Sequence, residues 1–338
     1  MIREWEKMLS LSDDGTWEVD VWPWFMSMSR DVISRAAVGR SYKEGRQIFQ
    51  LLSEQTELVM YHLDRYYLPF WRLVYSKDRR RMEEIDRTVN ESLKGIIKKK
   101  EKAMKAGEAV KNDVMGILLE FNNENRGTVG LSMKDLIEEC KLFYFAGQET
   151  TSTLLAWTIM LLSRHPDWQT RAREEVLQVF GNQTPDFDGL TRLTIVNMIL
   201  HEALRLYPPG TYIDRLVEKD VKLGNLSVPA GVQVFIPVLM LHHDQEMWGS
   251  DAKEFNPGRF SEGISKAGKG NSIAYFPFGW GPRICIGQIF ALLEAKMTLS
   301  LILQRFWFEL SPSYSHAPSL VLALRPKHGV HVFLHKLK

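Results

Sequence analysis

The chain has 338 residues, of which 45% are hydrophobic and 25% charged, and a formal charge of +2. This suits a globular protein with a large core, and so small a net charge offers no general field for nucleic acid, so no nucleic-acid partner is expected. The two cysteines, Cys140 and Cys285, leave no disulfide framework, no apolar run approaches the roughly eighteen residues a membrane span needs, and the charged opening (Arg3, Glu4, Glu6, Lys7) is no signal peptide, so the chain is expected to be soluble.

The first half reads as helical. Between Arg79 and Lys105, Met82, Ile85, Val89, Leu93 and Ile96 recur at steps of three and four, predicting one buried stripe. The run Lys98 to Lys102 reads as a solvated face, and Gly107 ends the helix. Asn122 to Gly130 is a polar loop. Ser132 with Asp135 then resembles a capping box that opens a helix reaching His165-Pro166, a span of about 50 Å.

Inside that helix lies Ala146-Gly147-Gln148-Glu149-Thr150-Thr151. A glycine followed by an acid and two β-branched threonines is poor mid-helix design. It is tolerable if the helix opens locally and a hydroxyl replaces a backbone acceptor; the plain alternative is threonines bonded back to their own turn. An acid beside an alcohol at such an opening can relay protons.

Helices follow around Trp168 to Phe180 and Ile195 to Leu206, the second carrying Glu202 and Arg205 three residues apart on one face. Strand character is read only late, at Val221–Leu223, Leu226–Val228 and Val232–Ile236, with Gly263 to Asn271 a loop and Leu320–Leu324 paired with His331–Leu334 in a closing hairpin. His242 and His243, being adjacent, suit one metal ion poorly and are expected in a loop. Three Asn-x-Ser/Thr triplets, at Asn90, Asn182 and Asn225, lack a secretory context and are coincidental. No repeat or internal linker divides the chain, which is read as a single domain over 1–338, mainly α with minor β.

The most specific segment is Phe278-Gly-Trp-Gly-Pro-Arg-Ile-Cys-Ile-Gly287. It sets Cys285 in a Gly/Pro-rich loop, with Gly281 and Gly287 leaving room for close approach of a flat group. A helix starting near Ile286 turns its positive end toward the sulfur, and Arg283 can meet an anionic edge. Cys140, on an apolar helix face, reads instead as a buried, inert thiol.

Phe278, Gly281, Arg283, Cys285 and Gly287 match Phe-x-x-Gly-x-Arg-x-Cys-x-Gly, which resembles the haem-ligand loop of the cytochrome P450 family. The segment Ala146 to Thr151 resembles the same family's oxygen-activation motif, Glu202–Arg205 its Glu-x-x-Arg pair, and Pro257-Gly-Arg-Phe260 its Pro-x-Arg-Phe segment, all in the family's order. The resemblance implies haem b (iron protoporphyrin IX) with Cys285 as the axial iron ligand. It implies that Arg283 and Arg215 bind the haem carboxylates, and that Phe278, Gly287, Ala146 and Gly147 pack at the cofactor. Glu149 and Thr150 would deliver protons, while Glu202, Arg205 and Arg259 would hold the cysteine loop. A small lipophilic substrate would lie against Phe143, Phe145 and Ala146, with Gly210–Ile213 and Pro318–Leu320 completing the pocket.

Activity by resemblance is monooxygenation with O2 and electrons from NADPH-cytochrome P450 reductase, at the cytosolic face of the endoplasmic reticulum membrane. The segments Glu18–Pro23 and Asp31–Arg35 resemble the plant subgroup containing secologanin synthase, and so suggest terpenoid or hormone-like substrates. Family members are longer at the amino end, with an anchor, first helices and a Trp-x-x-x-Arg contact that this sequence does not contain. The chain is therefore read as the carboxy-terminal part of the fold. Two alternatives stand beside monooxygenation: a haem-binding or inert remnant without turnover, and a thiolate isomerase, against which the Glu149-Thr150 pair argues.

Overall fold

The computed structural model describes residues 1–39, 42–63, 76–108, 112–125, 130–269 and 274–337. It opens with α1 (Ile2–Ser10), which buries Trp5 and Leu9, and β1 (Thr16–Asp20). The Asp20 carboxylate accepts the N–H of Trp22 at 3.0 Å, where α2 (Trp22–Val38) begins, and that of Val330 at 2.8 Å. One side chain thus ties a helix start to a turn near the far end of the sequence. Gly329, with φ +72, makes room for that carboxylate where a Cβ would collide with it.

Next come α3 (Tyr42–Leu63), α4 (Ser76–Lys105) and α5 (Val114–Glu124). The stripe of α4 is buried at Ile85, Val89 and Leu93 as the spacing predicts, but its last member is Ile97; Ile96 and Met82 are half-buried. Steps of four hold those residues on one row of the helix surface. Lys98, Lys99 and Lys102 are exposed as expected, whereas Lys100 pairs with Asp113, which also caps α5 by accepting the Gly116 N–H at 2.8 Å. Gly107 ends α4 in the left-handed region, its N–H on the Met104 carbonyl.

The expected loop starts later than Asn122, because Asn122 to Glu124 stay helical and 126–129 lie outside the described residues. The Asn122 amide instead forms a two-way pair with the Leu131 backbone, both bonds 2.8 Å. The capping box is real: the Ser132 N–H donates to Asp135 at 2.8 Å, and the Asp135 N–H donates to Ser132 Oγ at 3.2 Å, opening α6 (Met133–Arg164).

Residues 25–149 form one unit and residues 1–24 with 150–338 another. The core of the first gathers Ile33, Phe49, Ile85, Val89, Leu93 and Tyr144, with the Phe49 and Tyr144 rings 4.7 Å apart.

The second contains α7 (Pro166–Phe180), α8 (Phe187–Arg192) and α9 (Ile195–Leu206). From Met198 to Leu206 every residue of α9 is buried, charged ones included, which a helix tolerates only when those charges are paired. After α9, β2 (Ile213–Leu216), which the sequence reading missed, pairs antiparallel with β5 (Gln233–Ile236), and β3 (Val221–Leu223) with β4 (Leu226–Val228). Two short helices, α10 (Val238–His242) and α11 (Gln245–Trp248), lead to the cysteine segment and α12 (Gln288–Leu303). The expected loop from Gly263 contains a 3-10 turn at Ile264–Lys266, and its end, 270–271, lies outside the described residues.

The closing hairpin expected from Leu320–Leu324 and His331–Leu334 does not form. Instead β7 (Pro318–Leu320) pairs with β8 (Leu324–Pro326), while β9 (His331–Lys336) lies between β1 and β6 (Phe306–Leu310). The physical reason is burial of one face. Val332 stands opposite Val19 and Leu310, and Leu334 opposite Trp17 and Phe308, a match that an isolated hairpin cannot supply.

Candidate functional site

The cysteine loop is shaped by backbone bonds and two left-handed glycines. The Phe276 carbonyl accepts the Gly279 N–H at 3.0 Å, and the Phe278 carbonyl accepts the Cys285 N–H at 2.9 Å, closing the loop on itself. Gly279 (φ +78) and Gly281 (φ +74) make the reversals. The role of Gly281 is therefore conformational; nothing lies within 4 Å of where its Cβ would stand. At Gly287 a Cβ would lie 3.8 Å from Cys285 Sγ, so this glycine keeps the space beside the sulfur open. Helix α12 starts at Gln288, later than the expected Ile286, with Gly287 as its N-cap.

This folding leaves Cys285 exposed in apolar company. Trp280 is 60% and Ile286 91% exposed, and Ile284 and Ile289 are exposed too. So many large apolar side chains open to solvent around one thiol mark a face built to be covered. Beside it lies a cavity of about 300 Å³ lined by Ile213, Arg215, Ile236, Phe276 and Trp280. Arg215 on β2 and Arg283 in the loop are exposed, and neither has an ion-pair partner among the described residues. A thiol, an apolar surround and two guanidiniums without a carboxylate partner among the described residues, Arg215 donating only to the Asp214 carbonyl at 2.7 Å, fit a flat, iron-bearing macrocycle with anionic edges. Phe278, half-buried at the root of the loop, fits its expected packing place.

Behind the loop, Glu202 and Arg205 are both 0% exposed. Arg205 grips both carboxylate oxygens, at 2.7 and 2.8 Å, and donates to the carbonyls of His242, Ala252 and Glu254. Glu202 also accepts the Asn256 N–H at 2.9 Å. Arg259, in the Pro257–Phe260 turn, lies 3.5 Å from Glu202 and donates to the carbonyls of Trp248 and Asp251. The guanidinium forks saturate the acceptors of a tight, dry segment, which lets these charges persist in the interior.

The two histidines expected in a loop are more ordered than that. His242 ends α10, fully buried, and its Nε2 accepts the Phe276 N–H at 3.2 Å. His243 Nε2 meets the Leu206 carbonyl at 3.0 Å. No sequence signal distinguished them, since these bonds depend on partners more than thirty residues away.

Burial holds His242 down to a pKa of about 3 and His201, bonded to Tyr275, down to about 4. Both are neutral in the fold and must charge on acid unfolding. Their stabilisation is complete above the ordinary histidine range and is lost as pH falls from about 6.5 toward 4 and 3, on the order of 3 kcal/mol for His201 alone. His165, His243 and His316 are pushed the same way by burial, whereas the carboxylates held low, such as Glu18 and Asp251, act at lower pH. The urea midpoint is therefore expected to fall between pH 7 and 5; a flat midpoint over that interval would contradict neutral burial.

In α6 the backbone stays helical through 146–151, so of the two alternatives the sequence leaves, the plain helix is the one that forms. Ile33 supplies a reason for the glycine: it occupies the place where a Gly147 Cβ would stand. Ala146 is exposed, and Glu149 is buried in the 25–149 unit. Thr150 is exposed, whereas Thr151 through Leu162 are buried without interruption. Cys140 is buried as expected, its thiol pushed up to about 12 by desolvation.

Comparison with known proteins places this geometry. A sequence profile described as Cytochrome P450 matches residues 1–333. The chain is 59% identical over 344 aligned positions to an 11-oxo-beta-amyrin 30-oxidase of Glycyrrhiza uralensis, covering 100% of this chain and 65% of that protein. It is 57% identical to Cytochrome P450 72A397 of Kalopanax septemlobus, again over 100% of this chain and 65% of the relative. The chain thus spans about 65% of the length of these relatives. Among solved structures, the crystal structure of the cytochrome P450DA heme domain superposes with a TM-score of 0.82 at 26% identity, covering 95% of this chain and 69% of that one.

Proposed function

Since the chain belongs to the cytochrome P450 family, whose cofactor is haem b, we propose that it is a haem-thiolate monooxygenase that hydroxylates a small lipophilic, terpenoid-like substrate. The observation that carries this is the exposed Cys285, set in an apolar face beside Arg215 and Arg283. When bound, haem supplies oxidation of an unactivated C–H bond by dioxygen. Cys285 Sγ would hold the iron, and Arg215 and Arg283 would meet the anionic edge. Phe278 and Gly287 would pack beside the bound group, and family resemblance gives Ala146 and Gly147 a packing place at it as well. Glu149 and the Thr150 hydroxyl would hold and pass protons. By family resemblance the substrate would meet Phe143 and Phe145, and Gly210–Ile213 and Pro318–Leu320.

The terpenoid class draws support from the relative named as an 11-oxo-beta-amyrin 30-oxidase. Family kinship supports NADPH-cytochrome P450 reductase as the electron donor and the cytosolic face of the endoplasmic reticulum as the location. Among the described residues no helix is long and apolar enough to cross a membrane. Haem binding without turnover is the competing reading.

Haem reconstitution followed by the carbon-monoxide difference spectrum, then NADPH consumption and product analysis with reductase, separates these readings. A thiolate-type Soret shift with product gaining one oxygen atom is expected; the shift without product selects the competing reading, and no shift rejects both. Thr150→Ala is expected to keep the shift but lower product per NADPH by about tenfold or more, the scale of a lost proton-transfer group. Equal spectral loss in that variant would remove Thr150 from proton delivery.

A further inference from the structure

His242 links two features that the motifs leave unconnected. Its carbonyl accepts Arg205 Nη1 at 2.8 Å, so its backbone belongs to the Glu202–Arg205 lock. Its ring reaches the other way, Nε2 accepting the Phe276 N–H at 3.2 Å. Phe276 stands two residues before Phe278, whose carbonyl holds the Cys285 N–H, and its own carbonyl holds Gly279. Pro277 between them has no N–H to give. The root of the cysteine loop is thus fastened from outside the loop by an imidazole nitrogen. The ring is itself held in place, stacked on the buried Tyr275 at 5.3 Å and 23°.

We infer that His242 is a positioning residue for Cys285, transmitting the rigidity of the buried Glu202–Arg205 lock to the root of the ligand loop through its Nε2 acceptor. The inference rests on the haem-thiolate reading for its consequence, and on the protein bonds alone for its geometry. A neutral ring with an unprotonated Nε2 is required; burial keeps the ring neutral, and the Phe276 N–H donated to Nε2 leaves the ring proton on Nδ1. The chemistry asked of position 242 is specific: an acceptor at the Nε2 place on a flat, buried body. Phenylalanine keeps the stacking and lacks the acceptor; glutamine can place Oε1 near Nε2 and lacks the ring.

The test compares H242F and H242Q with the parent chain in two readouts. In the haem-free chain, the alkylation rate of Cys285 by iodoacetamide reports loop order, because buried Cys140 reacts slowly. In the haem-loaded chain, the fraction showing the thiolate-type Soret shift reports ligand placement. H242F is expected to change the alkylation rate and lower the thiolate fraction, each by about tenfold, the scale of one buried unsatisfied N–H. H242Q is expected to stay within about twofold of the parent in both, since it restores that one bond. Parent-like values in H242F, or equal losses in both variants, would overturn the role of the acceptor. If H242F does not fold, H242Q decides: retention of the parent values supports the inference and their loss defeats it. If the parent itself shows no thiolate-type shift, the haem reading fails, and the alkylation comparison still judges His242.

Discussion

Cys285→Ser is expected to abolish the thiolate-type Soret shift of the haem-loaded chain while leaving stability within about 0.5 kcal/mol of the parent, as for surface changes generally. The two effects separate because the side chain is exposed and serves no packing role. Cys140→Ser is the converse. There a hydroxyl enters a site that is 2% exposed, at a cost of about 1–3 kcal/mol, and the spectral shift persists. Urea unfolding and the carbon-monoxide difference spectrum on both variants read the contrast. Retention of the shift by the Cys285 variant would remove that sulfur from the axial position.

The largest stability effect is expected at Arg205. Its removal leaves the Glu202 carboxylate in the interior and takes the donor from the carbonyls of His242, Ala252 and Glu254. Arg205→Ala is expected to cost about 3–5 kcal/mol, the usual result of stranding a buried charge. Arg205→Lys recovers only part of this, because one ammonium cannot fork to both carboxylate oxygens and reach three carbonyls. The double variant E202L/R205M buries no lone charge and is expected to lose less than the two single variants combined. Unfolding free energies of the parent, Arg205→Ala, Arg205→Lys, E202L, R205M and the double variant check the scheme; an Arg205→Ala loss under about 1 kcal/mol would show that the network is dispensable.

What could be read without coordinates had local causes. The helices near 168–180 and 195–206, the Ser132/Asp135 cap and the Gly107 stop depend on residues within a turn or two of one another. The cysteine loop was legible for the same reason: its glycines, its arginine and its sulfur act within ten residues. Strands β1 and β6 were missed because their hydrophobic alternation has meaning only against β9, nearly the whole chain away from β1. Neighbours decided in the same way that 146–151 stay helical: Ile33 fills the Gly147 notch, and from Thr151 onward burial overrides poor propensity.

The sequence by itself determined the family and set one cysteine among the glycines and the arginine of its loop, because loop geometry is a short-range demand written in contiguous positions. Tertiary structure alone decided which carbonyls Arg205 saturates, that Ile97 and not Ile96 completes the α4 stripe, and that a histidine outside every motif accepts an N–H at the root of the cysteine loop. Those outcomes depend on which distant atoms displace water from a side chain, and the order of residues along a chain does not carry that information locally.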